Sequence, residues 1–364
     1  SRPDFVFVGV ISYPLYLWHW PLLSIATITE GKELSVDLRA MIAFASFGLA
    51  WATYRLVEKP LRQPGNLMRK FAGLGAMMAA ILIAALLAQK TDGVLIRTTA
   101  NDAAAPPQYN WKAGYRQDHC FVDALDPNSG AKSFVEECSG LEGSTGLSPH
   151  VILWGDSHAA ALYPGMRDYA DRTGIRLGQF TAAACPPVVG FDVAKRPECA
   201  AINDFVLRKI SNLKPDYVLM AAYWNLFDGK NGWETLSLAA LENTIQRVQS
   251  LANTKIILFL HLPIFTIDQP RVAIKAFKNE GKTRTYRAFR HEVKTLDLGI
   301  QALAQRLGVP IVSPISLMCD AEGCQVSASK TKVVPLAWDY AHLTDIGSKI
   351  LIDRAIERGA LRLE

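Results

Sequence analysis

The stretch VILWGDSHAAAL, residues 151–162, runs four apolar residues into Gly155-Asp156-Ser157-His158 and then into alanine. The apolar run reads as a buried strand, the glycine as a narrow turn and the alanines as the start of a helix. A serine hydroxyl at the carboxyl end of such a strand is where an enzyme would place a nucleophile. Whether the strand has companions decides the fold, and whether Ser157 has partners decides the function.

The pattern repeats downstream. Strand candidates are Val151–Trp154, Arg176–Thr181, Tyr217–Tyr223, Lys255–Leu260 and Pro310–Ser313, with helical stretches between them near Ala159–Arg172, Cys199–Leu213, Trp233–Ala252 and Tyr286–Leu307, and a closing helix over Thr344–Arg358. Short strands separated by helices imply β-α-β units, hence an α/β fold with a parallel sheet covered on both faces. In such open sheets a ligand sits at the carboxyl ends of the strands, where Ser157 lies. Upstream, residues 111–148 hold two cysteines and several glycines without periodicity and read as a disulfide-tied extension packed on the domain that begins at 149. The polar, proline-containing TTANDAAAPPQYN, residues 98–110, belongs to a linker over 91–110.

Residues 1–90 have another character. From Phe5 to Thr29 there is no formal charge, about 25 positions where about 20 cross a bilayer. Ala40–Tyr54 and Phe71–Gln89 are two further apolar runs, which gives three membrane spans. Tyr13, Tyr16, Trp18 and Trp20 suit interfacial anchoring, and His19 is an ionisable group inside the first span, either functional or bonded to a neighbouring helix. The loop Leu56–Lys70 is basic and Glu30–Asp37 slightly acidic, so the basic loop faces the cytoplasm, the acidic one lies outside, and so does everything after about Lys90. All six cysteines, Cys120, Cys138, Cys185, Cys199, Cys319 and Cys324, fall in that outer part. An even number in an oxidising compartment favours disulfides, most simply paired in sequence order, although fifteen connectivities are open. Zinc would call for closer spacing than these cysteines show, since no C-x-x-C pair is present, and no metal site is expected.

The net charge of +5 on 364 residues is modest, and much of it flanks the apolar runs in Arg55, Lys59, Arg62, Arg69 and Lys70. No basic patch interleaved with aromatics occurs elsewhere, so nucleic acid is not an expected partner. The chain opens without an initiator methionine or a signal-peptide pattern and reads as a piece of something longer.

A serine attacks acyl groups when a histidine, steadied by a carboxylate, takes its proton. PLAWDYAHLTDIG, residues 335–347, places Asp339 and His342 three apart, just before a helix whose N-cap is Thr344. A turn there would set the carboxylate on one imidazole nitrogen and aim the other at Ser157. GDS after the first strand with D-x-x-H near the end resembles the SGNH hydrolase superfamily over residues 149–364, which implies a flavodoxin-like α/β sheet. By that likeness Ser157 is the nucleophile, His342 the general base and Asp339 its orienting carboxylate. The family's oxyanion-hole asparagine maps to Asn225 in AAYWNLFD, without the preceding glycine. The family's glycine has only the late Gly190 in TAAACPPVVG, so a backbone N–H near Ala184 is the substitute. His158 is expected to structure the turn or touch substrate, and Trp154, Tyr223, Trp224 and Trp338 either to stack on sugars or to pack in the core.

A second likeness covers the front. ISYPLYLWHWPLL, residues 11–23, followed by YRLVEKPLR, residues 54–62, resembles the closing transmembrane segments of acyltransferase family 3 membrane proteins, some of which carry an outward SGNH domain after an extra helix. The resemblance implies O-acylation, most simply O-acetylation, of sugar hydroxyls in a bacterial surface polysaccharide such as lipopolysaccharide O-antigen, by a protein of the inner membrane with its SGNH domain in the periplasm. It also implies cytoplasmic acetyl-CoA as acyl donor, no cofactor held by the soluble domain, and dependence on earlier acyltransferase helices not among these residues. A carbohydrate esterase using the same residues, or a non-catalytic glycan-presenting module, are the rival expectations.

Overall fold

The structure, a computed structural model, describes residues 3–30, 34–65, 67–90, 109–125, 130–141, 148–251, 254–290 and 295–363. It falls into two units, Ser1–Ala105 and Pro106–Glu364.

The first unit is helical: α1 (Pro3–Glu30), α2 (Val36–Thr53, continued by a π-helical turn over Tyr54–Glu58 and a short helix Lys59–Arg62) and α3 (Leu67–Lys90). Ser35 caps α2, its hydroxyl accepting from Leu38 N–H. Ile42, Ser46 and Ala50 form a buried stripe on α2. The small residues among them let helices approach closely, as membrane helices do. Trp18 of α1 donates its indole N–H to Thr53 Oγ1 at 2.9 Å. His19 beside it is exposed. Val36–Arg62 and Lys70–Leu87 are long and apolar enough to cross a membrane. α1, 28 residues long and more apolar on average than α2 or α3, carries the first expected span, Phe5–Thr29.

In the second unit a six-stranded parallel sheet is built from β1 (Phe121–Val122), β2 (His150–Gly155), β3 (Arg176–Ala182), β4 (Tyr217–Ala221), β5 (Lys255–Phe259) and β7 (Ile311–Val312), ordered β1-β3-β2-β4-β5-β7. A small antiparallel sheet joins β6 (Arg284–Thr285), β8 (Cys319–Asp320) and β9 (Gly323–Gln325). Side chains alternate across the strands. Ile152, Trp154, Val218, Met220, Ile256 and Leu258 pack under α5 (Cys199–Leu213), α6 (Leu238–Gln249) and α8 (Thr295–Arg306). Val151, Leu153, Leu219, Ile257 and Phe259 meet α4 (Tyr163–Thr173) and α9 (Asp345–Glu357). With both faces covered, β2 is buried along its whole length. The chain leaves β2 for β3 on one side and returns past it to β4 on the other, so β2 ends at a topological switch point.

The strands lie where the sequence places them, within two residues at each end. Two helices are shorter than expected. α6 starts at Leu238, behind its cap Ser237, rather than at Trp233, and α8 is described from Thr295, with residues 286–290 in turn and loop rather than helix. α7 (Gln269–Glu280) is an addition, opened by Pro270 in its first turn. The extension is more than a packed appendage, because its β1 pairs with β3 as an edge strand. It also crosses β3 at Gly178, where a Cβ would stand 2.8 Å from Cys138 O and 2.7 Å from Ser139 O. All three disulfides follow sequence order: Cys120–Cys138, Cys185–Cys199 and Cys319–Cys324. With every cysteine paired, thiolate ligands for zinc are gone. The linker lies outside the described residues except for Tyr109 and Asn110.

Candidate active site

Gly155 ends β2 so close to β4 that a Cβ there would stand 1.7 Å from Ala221 O, which no side chain can satisfy. Asp156 then caps a short helix, Ser157–Ala160. Its Oδ1 accepts from His158 N–H at 2.8 Å and its Oδ2 from Tyr223 N–H at 2.9 Å, so one buried carboxylate ties the end of β2 to the exit of β4. Full burial pushes the Asp156 carboxyl up to about 6, against the pull of those N–H groups and of His342. Its role is architectural: it fixes the turn on which Ser157 rides.

Ser157 is half-buried, and its Oγ lies 2.8 Å from His342 Nε2. His342 Nδ1 lies 2.7 Å from Asp339 Oδ2. A carboxylate only accepts, so Nδ1 carries the proton and Nε2 is left to accept from the serine hydroxyl. Asp339 Oδ1 takes two more hydrogens, from Ala341 N–H at 2.8 Å and His342 N–H at 2.7 Å. Burial pushes the Asp339 carboxyl up, but its bond to His342, that ring's charge and the two backbone donors outweigh it and hold the group below the ordinary carboxylate range. The D-x-x-H segment is itself pinned: Trp338 N–H donates to His342 O at 3.0 Å, and Gln269 Oε1 accepts from Leu336 and Ala337 N–H. Thr344 caps α9 as expected, its hydroxyl accepting from Gly347 N–H.

The other expected residues divide. Asn225, buried just after β4, donates Nδ2 to Asp297 Oδ2 at 3.0 Å, and Asp297 Oδ1 accepts from His261 Nδ1 at 3.0 Å. Asp297 and His261 were not legible as a pair, being 36 residues apart. Ala184, after β3, holds a left-handed φ of +48°, a conformation that a glycine takes without strain and an alanine does not. Gly190 sits exposed with open space around it. His158 is buried, stacked on Tyr223 (centroids 4.7 Å, 6° apart in plane) and edge-on to His342 at 5.2 Å. Burial holds its pKa well below the usual value, so it packs as a neutral ring. Sugar stacking fails for Trp154 and Trp224. Both are core residues whose indole N–H groups bond Asn203 Oδ1 and Phe259 O, because a buried indole needs a partner and these positions supply one. Tyr223 and Trp338 are half-buried against the two histidines, and the exposed aromatic beside His342 is Tyr340, which the sequence had not singled out. Among the described residues no three His, Cys, Asp or Glu side chains gather as metal ligands would.

A serine, an imidazole and a carboxylate in line, at the carboxyl edge of a parallel sheet, can carry nucleophilic acyl chemistry. A family model described as the SGNH domain (fused to AT3 domains) matches residues 119–357. Among solved structures, the periplasmic domain of a Salmonella ser. Paratyphi A lipopolysaccharide acetyltransferase aligns at 20% identity over 71% of this chain and 99% of that one, with a TM-score of 0.57. An acetylxylan esterase from Geobacillus stearothermophilus aligns at 13% identity over 58% and 94% of the two chains, TM-score 0.35. A Clostridium thermocellum family 3 carbohydrate esterase aligns at 13% over 58% and 96%, TM-score 0.34. No curated protein sequence matches the chain.

Proposed function

Because the chain belongs to the family of SGNH domains fused to AT3 domains, we propose that it transfers an acyl group, acetyl in the simplest case, to a sugar hydroxyl of a bacterial surface polysaccharide such as lipopolysaccharide O-antigen. One observation carries the reading: the continuous hydrogen-bond line Ser157–His342–Asp339. α1–α3 act as the closing helices of an inner-membrane acyltransferase domain whose earlier helices take acetyl from cytoplasmic acetyl-CoA. Residues 106–364 work in the periplasm, and three disulfides suit an oxidising compartment.

His342 Nε2 takes the Ser157 hydroxyl proton as Oγ bonds to the acyl carbon. The bond to the donor's leaving group breaks, and that group departs with the proton from the imidazolium. An ester now joins Ser157 to the acyl group. The sugar hydroxyl then gives its proton to His342 while its oxygen takes the acyl carbon, and the serine recovers its hydrogen as the ester bond breaks. Asp339 stays ionised and stabilises the imidazolium in both halves. The N–H of Ser157, with Asn225 and the backbone at Ala184, stabilises the oxyanion.

Ser157→Ala in the protein in cells is expected to bring glycan acetylation to background, measured by mass spectrometry of the isolated polysaccharide. Undiminished acetylation would leave the soluble unit as a presenting module. Incubating the protein with an acetyl donor, with and without oligosaccharide, separates transfer from hydrolysis: acetyl released only to water would make it an esterase.

A further inference from the structure

The general base is held on one side by residues that precede the sheet and lie ahead of the family match, which starts at 119. Trp111, in the short helix Trp111–Gly114, stacks on Trp338 with ring centroids 5.5 Å apart and planes within 7°. Trp338 in turn stacks on His342 at 5.5 Å and 22°. Tyr115 is buried, accepts from Trp338 Nε1 at 3.2 Å and donates its hydroxyl hydrogen to Leu343 O at 2.6 Å, so it grips the residues on both sides of the Asp339–His342 turn. Tyr109 bonds the carboxylate of Asp345 at the start of the next helix.

We infer that the segment 109–115 positions the catalytic imidazole, with Trp111 and Tyr115 as positioning residues acting through Trp338. This rests on the reading of His342 as general base. Asp339 restrains the ring through one hydrogen bond to one nitrogen, which by itself tolerates some rotation about the bond that joins the ring to the chain. The indole of Trp338 limits that rotation by lying nearly parallel to the imidazole. Trp338 is half-buried and would swing if nothing held it; Trp111 covers its ring and Tyr115 holds its N–H. The distance from Nε2 to Ser157 Oγ, 2.8 Å, is therefore set partly by residues that reach the domain straight from the linker. A displacement of about 1 Å at a reacting pair is worth on the order of a hundred-fold in rate, so a partial loosening should show as about ten-fold.

The test uses the full chain in detergent. A fluorophosphonate labels an activated serine, and its rate of reaction with Ser157 reports proton transfer to His342 without any acceptor. Trp111→Ala is expected to slow labelling about ten-fold and to lower kcat for a chromogenic acetyl ester equally, with KM within about two-fold, while Trp111→Phe recovers most of the rate. Tyr115→Phe, which keeps the volume and deletes both hydrogen bonds, should slow labelling by at least about three-fold. Labelling of all three variants within two-fold of the unsubstituted chain would overturn the inference and leave the acyl-enzyme reading intact. If Trp111→Ala does not fold, the Tyr115→Phe rate decides by the same threshold. Failure of the unsubstituted chain to label would sink the acyl-enzyme reading, and the inference with it.

Discussion

Two aspartate–histidine pairs stand at the carboxyl edge of the same sheet, and among the described residues only one is seen facing a nucleophile. Asp339 and His342 lie on one turn, 2.7 Å apart, with the far nitrogen on Ser157. Asp297 and His261 come from α8 and the end of β5, 3.0 Å apart, and the carboxylate's second oxygen holds the amide of Asn225. The chemistry of the two pairs is the same and their third members differ. An imidazole with a hydroxyl on its far nitrogen can relay a proton, whereas a carboxylate shared between an imidazole and an amide can only hold the two in place. A buried Asp–His pair is therefore no sign of catalysis until its next neighbour is known.

That contrast can be broken by measurement. His342→Gln should lose acyl transfer by about a thousand-fold or more, and Asp339→Asn by about a hundred- to ten-thousand-fold through the wrong tautomer, both read as kcat/KM with an acetyl ester. Asp297→Asn should cost about ten-fold in rate, because an amide can present oxygen to only one of the two donors, and about 1–3 kcal/mol in stability by denaturant melting. Equal losses from Asp339→Asn and Asp297→Asn would erase the distinction. His261→Gln, which keeps a polar group near Asp297, should cost no more than a few-fold in the same assay.

The smallest effect concerns pH. Asp339 is held below its ordinary value of 3.8, so its contribution to stability is complete above that value and is lost as the pH falls through the lower, folded value. The difference in melting temperature between the unsubstituted chain and Asp339→Asn should stay constant from neutral pH down to about 4 and narrow below it. A difference that narrows between pH 7 and 5 would mean that the carboxyl is not stabilised as its three hydrogen bonds imply.

What the sequence discloses about the site follows sequence distance. Gly155-Asp156-Ser157 is local, and so is Asp339 with His342, because three residues on a turn suffice to bring them together. Ser157 and His342 are 185 residues apart, and their meeting was expected only because a strand end and a family likeness put them at one edge. Nothing in HLPIFTIDQP, residues 261–270, separates His261 from an ordinary surface histidine, so the Asp297 pair stayed hidden. Trp154 and Trp224, for which the sequence left sugar stacking and core packing open, stand next to the site in sequence and pack in the core, Trp154 by strand alternation and Trp224 from the short helix after β4. β1 could not be foreseen, since two residues carry no periodicity and their strand exists only by pairing with β3.

That two-residue strand has a practical side. By pairing with Thr181 and Ala182 it occupies the backbone groups at the end of β3, and the Cys120–Cys138 disulfide keeps it there. A chain cut back to residue 149 would keep every residue of the serine–histidine line yet bare a parallel-sheet border to its own copies, and should come out of a sizing column as aggregates, where one starting at 109 should run as a discrete species.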